Sequence, residues 1–403
     1  PITTQTMAEH RLYLPLAAVC TVAVFASFTW LGQRALIALL VVAGVFGFLT
    51  ERRNRDYAND LLLWRDTVEK RPQNARAQNN LGRALIESGD TPGAMARFEE
   101  ALRLLPNYPE THNNLGYALA QTGRPADAVP HYEESLRLRP TNPRAHDNLG
   151  HALVQLHRVP AAIAHFQEAL RLRPDFPDSH WGLGNAFAQS DRLPEAIRHY
   201  ETALKLDPTF ADAHYSLGIA LAKTGRTAEA VASYREALRL KPNFPEAENN
   251  LGNLALAAGR SAEATAHYRR ALATKPGYTE ARVNLANAFL ESGATADALK
   301  EYQTALVTDA SNPDAHYGLA NAFIQLERLP EAVSELRETL RLKPDHLPAR
   351  VNLGNALLLS GRVPEAIAQY ELALKLAPDD SVLRANLDQA RQLQRSGPPP
   401  LSR

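Results

Sequence analysis

A period of 34 residues, unbroken by insertion from Ala75 to Asp380, constrains this chain more than any other feature of its sequence. The first copy reads ARAQNNLGRALIESGDTPGAMARFEEALRLLPNY, and eight more begin at Pro109, Pro143, Pro177, Ala211, Pro245, Thr279, Pro313 and Leu347. A strict period of this size marks an array in which each unit packs on its neighbours. Within a copy, Leu81, Gly82 and Leu85 fall on one stripe of a first helix. Gly82, Gly116, Gly150, Gly184, Gly218, Gly252 and Gly354 leave room there for a second helix, while Ala286 and Ala320 take the slot in two copies. Gly89, Gly123, Gly225, Gly259, Gly293 and Gly361 stand where the first helix needs a left-handed residue to stop. Pro160, Pro194, Pro330 and Pro364 open second helices, whose buried stripe is Ala94, Phe98 and Ala101 in the first copy. Pro106 or its equivalent then ends the unit. The expected fold is all-α.

The slots Leu81-Gly82, Ala94, Phe98, Ala101 and Pro106 recur as Leu183-Gly184, Ala196, Tyr200, Ala203 and Pro208 in the fourth copy. This pattern resembles the tetratricopeptide repeat. The resemblance implies an α-solenoid of nine repeats over residues 75–380, a right-handed superhelix of helix pairs. Residues 51–74 read as a linker and half repeat, with Trp64 in the slot of Phe98 and Pro72 in that of Pro106. Residues 381–394 read as a polar-faced capping helix, and residues 395–403 as a disordered tail.

Ahead of the repeats lie two uncharged runs, Leu12–Leu31 and Ala35–Thr50. As a helix the first spans about 30 Å, the thickness of a hydrocarbon core, and Trp30 suits its interfacial belt. Arg34 can snorkel from the turn, so residues 12–50 are expected to form a two-helix membrane hairpin, with membrane lipid as a partner. Arg11, Arg52, Arg53 and Arg55 flank the hairpin, and by charge count they place the repeats in the cytoplasm. Residues 8–15, AEHRLYLP, point the other way. They resemble a motif of bacterial polytopic, lipid-phosphate-dependent protein glycosyltransferases that carry carboxy-terminal tetratricopeptide repeats. That resemblance implies that residues 1–11 and the repeats are extracytoplasmic, on the periplasmic side of the membrane. It also implies that Glu9, Arg11 and Tyr13 lie near a lipid-phosphate donor. The family's catalytic acidic residues belong to an earlier loop that no residue here matches, and Pro1 in place of a methionine suggests a piece of a longer product.

Lys+Arg and Asp+Glu are equal at 44, a balance that lacks the basic footprint of a nucleic-acid binder. Cys20 is the only cysteine, so there is no Cys-based metal site. His112, His146, His180, His214 and His316 share one slot of the repeat, and His131, His165, His199 and His267 share another. Equivalent residues of successive copies lie about 10 Å apart, too far for one ion, so packing explains the recurrence and no metal is expected. No catalytic motif is present, and no cofactor is expected.

What remains is a face of the first helices. Its sixth position holds Asn80, Asn114, Asn148, Asn250, Asn284 and Asn352, and its ninth holds Asn185, Asn253, Asn287, Asn321 and Asn355. Only the fifth copy, with Ser216 and Ile219, lacks an asparagine at both. A carboxamide offers both donor and acceptor, as an extended peptide backbone requires. The rows resemble the asparagine ladder of O-linked N-acetylglucosamine transferase, which implies an extended peptide or protein as partner. The alternative is that these amides cap or bridge neighbouring helices. The sequence therefore points to a membrane-anchored superhelix that binds extended polypeptide, the acceptor-binding portion of a protein glycosyltransferase. A membrane-anchored scaffold for envelope protein assembly is the other reading.

Overall fold

In the computed structural model the described residues are 59–396, with Thr29, Gly32, Gly44, Val45, Gly47 and Phe48 as isolated positions. The hairpin over residues 12–50 and the motif residues Glu9, Arg11 and Tyr13 thus fall outside the described residues, apart from those isolated positions. Among the described residues there is no strand, and no helix is long and apolar enough to cross a membrane.

The chain divides into two compact units at Leu172 and Arg173. The first contains α1 (Asp60–Lys70), α2 (Ala75–Glu87), α3 (Thr91–Leu104), α4 (Pro109–Gln121), α5 (Pro125–Leu138), α6 (Pro143–Gln155) and α7 (Val159–Leu172). The second contains α8 (Pro177–Gln189), α9 (Leu193–Leu206), α10 (Ala211–Lys223), α11 (Thr227–Leu240), α12 (Pro245–Ala257) and α13 (Ser261–Thr274). It continues with α14 (Thr279–Glu291), α15 (Thr295–Thr308), α16 (Pro313–Gln325), α17 (Leu329–Leu342), α18 (Leu347–Leu359), α19 (Val363–Leu376) and α20 (Ser381–Ser396). Among the described residues these twenty helices are nine antiparallel pairs with one extra helix before and one after. The last helix runs through Ser396, two residues past the expected cap, because Arg395 and Ser396 still complete its final turn.

Seven of the nine pairs are closed by an aromatic ring lying on a glycine. A Cβ added to Gly82 would sit 2.5 Å from Phe98 Cε1, and one on Gly116 would sit 2.8 Å from Tyr132 Cε1. The same contact joins Gly150 to Phe166, Gly184 to Tyr200, Gly218 to Tyr234, Gly252 to Tyr268 and Gly354 to Tyr370. Two copies carry alanine in the glycine slot, and each adjusts its ring. In one, Leu336 replaces the aromatic opposite Ala320. In the other, the ring of Tyr302 is buried in one cluster with Ala286 and also lies against Gly318 of the following copy. Alanines such as Ala94, Ala101, Ala162 and Ala169 are fully buried around the rings, so the backbones approach closely.

The six glycines that end first helices have φ between 72° and 86°. In the three copies without one, His157, Asp191 and Glu327 take the same left-handed conformation at φ 55–57°, at the cost that an L side chain imposes there. Glu327→Gly is therefore expected to stabilise the fold by about 1 kcal/mol. Gly218→Ala, whose new Cβ would lie 2.6 Å from Tyr234 Cε1, is expected to destabilise it by about 1–3 kcal/mol through overpacking. Thermal melts of both variants beside the parent protein check the two signs.

Candidate peptide-binding face

The asparagines of the sixth position bond to the fifth position of the preceding copy. In the first unit, Asn114 Nδ2 donates to Asn79 Oδ1 at 3.0 Å, and Asn148 Nδ2 to Asn113 Oδ1 at 3.0 Å. Asn79 is buried, accepts also from Thr111 Oγ1, and donates to Asn80 Oδ1 at 3.3 Å. In the second unit, Asn250 Nδ2 reaches the hydroxyls of Tyr215 and Tyr234 at 3.4 Å each. Asn284 Nδ2 donates to Asn249 Oδ1 at 3.0 Å and to Asn253 Oδ1 at 3.1 Å. Asn352 Nδ2 donates to Tyr317 at 3.3 Å and to Asn321 Oδ1 at 2.9 Å. Where serine replaces asparagine, the direction reverses and Trp181 Nε1 donates to Ser216 Oγ at 3.0 Å. All but the contact between Asn79 and Asn80 link one copy to the next, so this row stitches copies together. In Asn250, Asn284 and Asn352 both amide hydrogens are used within the protein.

The ninth position behaves differently. Tyr200, Tyr268, Tyr302 and Tyr370 donate their hydroxyls to the Oδ1 atoms of Asn185, Asn253, Asn287 and Asn355 at 2.7, 2.8, 2.5 and 2.7 Å. Burial pushes the phenols of these tyrosines upward, so they remain neutral donors. In Asn321 the oxygen is likewise occupied, by Asn352. The amide nitrogens of these five have no hydrogen-bond partner among the described residues, and Asn253 is exposed while the others are half-buried. Five outward donors, one per copy in copies four and six to nine, are what this face offers.

The fifth-position row is absent from the sequence-based expectations. Its signal is a spacing of 35 residues rather than 34: Asn79 with Asn114, Asn113 with Asn148, Asn249 with Asn284. The histidines conceal a second pairing, at a spacing of 19, which joins the two helices of one copy. His112 and His131 meet Nδ1 to Nδ1 at 3.1 Å, His146 and His165 at 3.0 Å, and His180 and His199 at 3.2 Å. In other copies the same two slots hold Glu248 with His267, Arg282 with Glu301 and His316 with Glu335, each at 2.6–2.7 Å. Among the described residues no three potential metal ligands gather.

In the histidine pairs the tautomers are fixed. His112 Nε2 faces the carbonyl of Pro106 at 2.9 Å and must donate, so its Nδ1 accepts from His131. His146 is held in the same way by Pro140, and His180 by Pro174. The pKa values of His131, His165 and His199 are lowered from 6.5, by burial first and then by the facing imidazole. Glu99 and Asp127 oppose this at His131, while Arg158 and Arg198 reinforce it at His165 and His199. Because the folded values lie below the unfolded one, the stabilisation is complete above pH 6.5. It is lost as pH falls from there toward the folded values, since the unfolded chain takes up protons first. Melting temperatures between pH 8 and pH 5 are expected to fall below about pH 6.5, and the triple variant His131→Gln, His165→Gln, His199→Gln should flatten that fall.

Helix pairs repeated in register, with a glycine-on-aromatic clasp and a polar first-helix face, define a helical repeat array of the protein-binding kind. The chain is a tetratricopeptide repeat protein. Profiles described as TPR repeat or tetratricopeptide repeat match residues 82–123, 109–142, 150–191, 184–225, 211–244, 245–270, 286–326 and 317–381. These matches do not reach the AEHRLYLP segment. Among solved structures, MamA is 29% identical, covering 40% of this chain and 95% of its own with a TM-score of 0.36. TTC0263, a thermophilic TPR protein of Thermus thermophilus, is 27% identical over 45% of this chain and 100% of its own, TM-score 0.41. YrrB, described as a TPR protein with an unusual peptide-binding site, is 22% identical over 49% and 97%, TM-score 0.37. No match was found among curated proteins.

Proposed function

We propose that the second unit binds extended polypeptide along its first-helix face, through the ninth-position asparagines. The observation that carries this is the split state of Asn185, Asn253, Asn287 and Asn355, whose oxygens are taken by tyrosine hydroxyls while their nitrogens are left to donate outward. A peptide carbonyl is the acceptor such donors suit, and a row of them grips main chain while ignoring side chains. The sixth-position amides serve a different purpose, joining copies.

Removing one partner of a buried bond would confuse binding with stability, so both must go together. The variant Asn185→Ala, Tyr200→Phe, Asn355→Ala, Tyr370→Phe deletes two outward donors and the hydroxyls that bond to them. Phenylalanine already occupies that ring slot at Phe98 and Phe166. On an array of unstructured 15-residue peptides, the variant is expected to bind roughly fivefold to tenfold more weakly for each lost donor, with little change in melting temperature. Unchanged binding would mean that these amides serve the fold alone. In contrast, Asn284→Ala strands the buried Asn249 oxygen and is expected to lower stability by about 1–3 kcal/mol.

The finer reading is that this array is anchored by the hairpin over residues 12–50 and serves a glycosyltransferase as its acceptor-binding portion, on the extracytoplasmic side. Its support is the order of motif, hairpin and repeats together with AEHRLYLP, in which Glu9, Arg11 and Tyr13 would approach a lipid-phosphate donor. A scaffold without enzymatic partner is the competing reading. Orientation can be tested with a single cysteine in a protein whose Cys20 is replaced. Lys223 is an exposed helical site and avoids the strain that a side chain would meet at Gly225, where φ is 78°. A membrane-impermeant thiol reagent is expected to label Lys223→Cys in intact cells. Labelling only after lysis would place the repeats in the cytoplasm, as the arginine count does.

A further inference from the structure

The stitching row has one gap in the second unit. Between the seventh and eighth copies the fifth position is Val283 and the sixth is Gly318, so neither side can supply the hydrogen bond made at the neighbouring junctions. Tyr302 lies against Gly318, and a recess of about 320 Å³ opens beside it. That is near the lower end of the range for small-ligand sites, about 300–1,000 Å³, and suits one side chain rather than a whole ligand.

The lining selects the occupant. Glu280 and Asp314 both border the recess, and neither is ion-paired to a cation in the structure. Glu280 has only neutral donors, Asn249 Nδ2 at 3.0 Å and the Tyr278 hydroxyl at 3.5 Å. The nearby Lys275 is committed to Glu246 at 3.1 Å and to the ring of Tyr278. In copies two, five and six the equivalent carboxylate is matched by a cation: Glu110 by Arg139 at 2.6 Å, Asp212 by Lys241 at 3.4 Å and Glu246 by Lys275 at 3.1 Å. In the seventh copy the residue equivalent to those cations is Asp309, which turns instead to Ser311 and Asn312. Tyr302 and Tyr317 add aromatic surface to the wall, and the recess sits between the outward amides of Asn287 and Asn321.

We propose that this recess is a specificity pocket for one arginine side chain of the bound polypeptide. The proposal rests on the peptide-binding reading above and deepens it: the amides would hold main chain on either side while the pocket reads one residue. A guanidinium meets carboxylates through directional paired donors and lies well on aromatic faces, which a compact ammonium does less well.

The test compares 15-residue unstructured peptides that differ only at the central residue: arginine, its neutral isostere citrulline, or glutamate. Full-length protein is expected to bind the arginine peptide at least tenfold more tightly than the citrulline peptide, and the glutamate peptide most weakly. The preference should shrink as salt is raised. The variant Glu280→Gln, Asp314→Asn keeps the shape and an acceptor for Asn249, and is expected to bind the arginine and citrulline peptides equally. Gly318→Asn fills the recess as a second route to the same loss, with circular dichroism checking that it folds. Equal binding of the arginine and citrulline peptides by the parent protein overturns the pocket but leaves the peptide-binding face standing. A preference that survives Glu280→Gln, Asp314→Asn also overturns it. Binding of no peptide at all overturns both.

Discussion

The contact on which the rest depends is an aromatic ring resting on a helix glycine. It lets the two helices of a copy approach within the thickness of one ring, and it leaves no room for even a methyl group at the glycine. Dense packing of this kind makes the ring and the glycine one unit rather than two choices. Copies seven and eight show the coupling directly. Tyr302 packs with Ala286 and lies against Gly318 of the next copy, whereas Ala320 faces Leu336 in place of a ring. The recess lies where Gly318 lacks the side chain that the sixth position carries in most copies.

Around that clasp the polar side chains divide their work by register. Fifth- and sixth-position groups run from copy to copy, histidine or ion pairs tie the two helices of a copy, and ninth-position amides lie over the tyrosine hydroxyls. The tyrosine hydroxyls do two things with one bond: they satisfy a phenol buried in the pair, and they orient a carboxamide so that its nitrogen points away from the pair. The proposed binding row is therefore positioned by the same rings that set helix spacing. The carboxylates follow a similar logic. In copies two, five and six the equivalent carboxylate is paired with its copy's cation, whereas in copy seven Asp309 stands in the cation's place and Glu280 has only neutral donors.

The pairs, their boundaries and the glycine stops were legible because they repeat at one period and obey local rules of helix ends. The left-handed turns at His157, Asp191 and Glu327 were hidden, since nothing in those side chains asks for positive φ and only the neighbouring copies impose it. The asparagine rows were visible as rows, yet their two roles were not separable. An amide that bridges and an amide that binds have the same chemistry, and what differs is whether a partner lies 35 residues upstream. The partners of the histidines were missed because the comparison was made along the period instead of across a helix pair.

The sequence by itself determined that this chain is a row of helix pairs, because a period, a glycine and a ring are properties of residues and spacing. Tertiary structure alone decided which amides are spent and which are free, and where the stitching fails. Those outcomes depend on which side chains meet between helices, at separations of 15, 19 and 35 residues that only packing brings within hydrogen-bond distance.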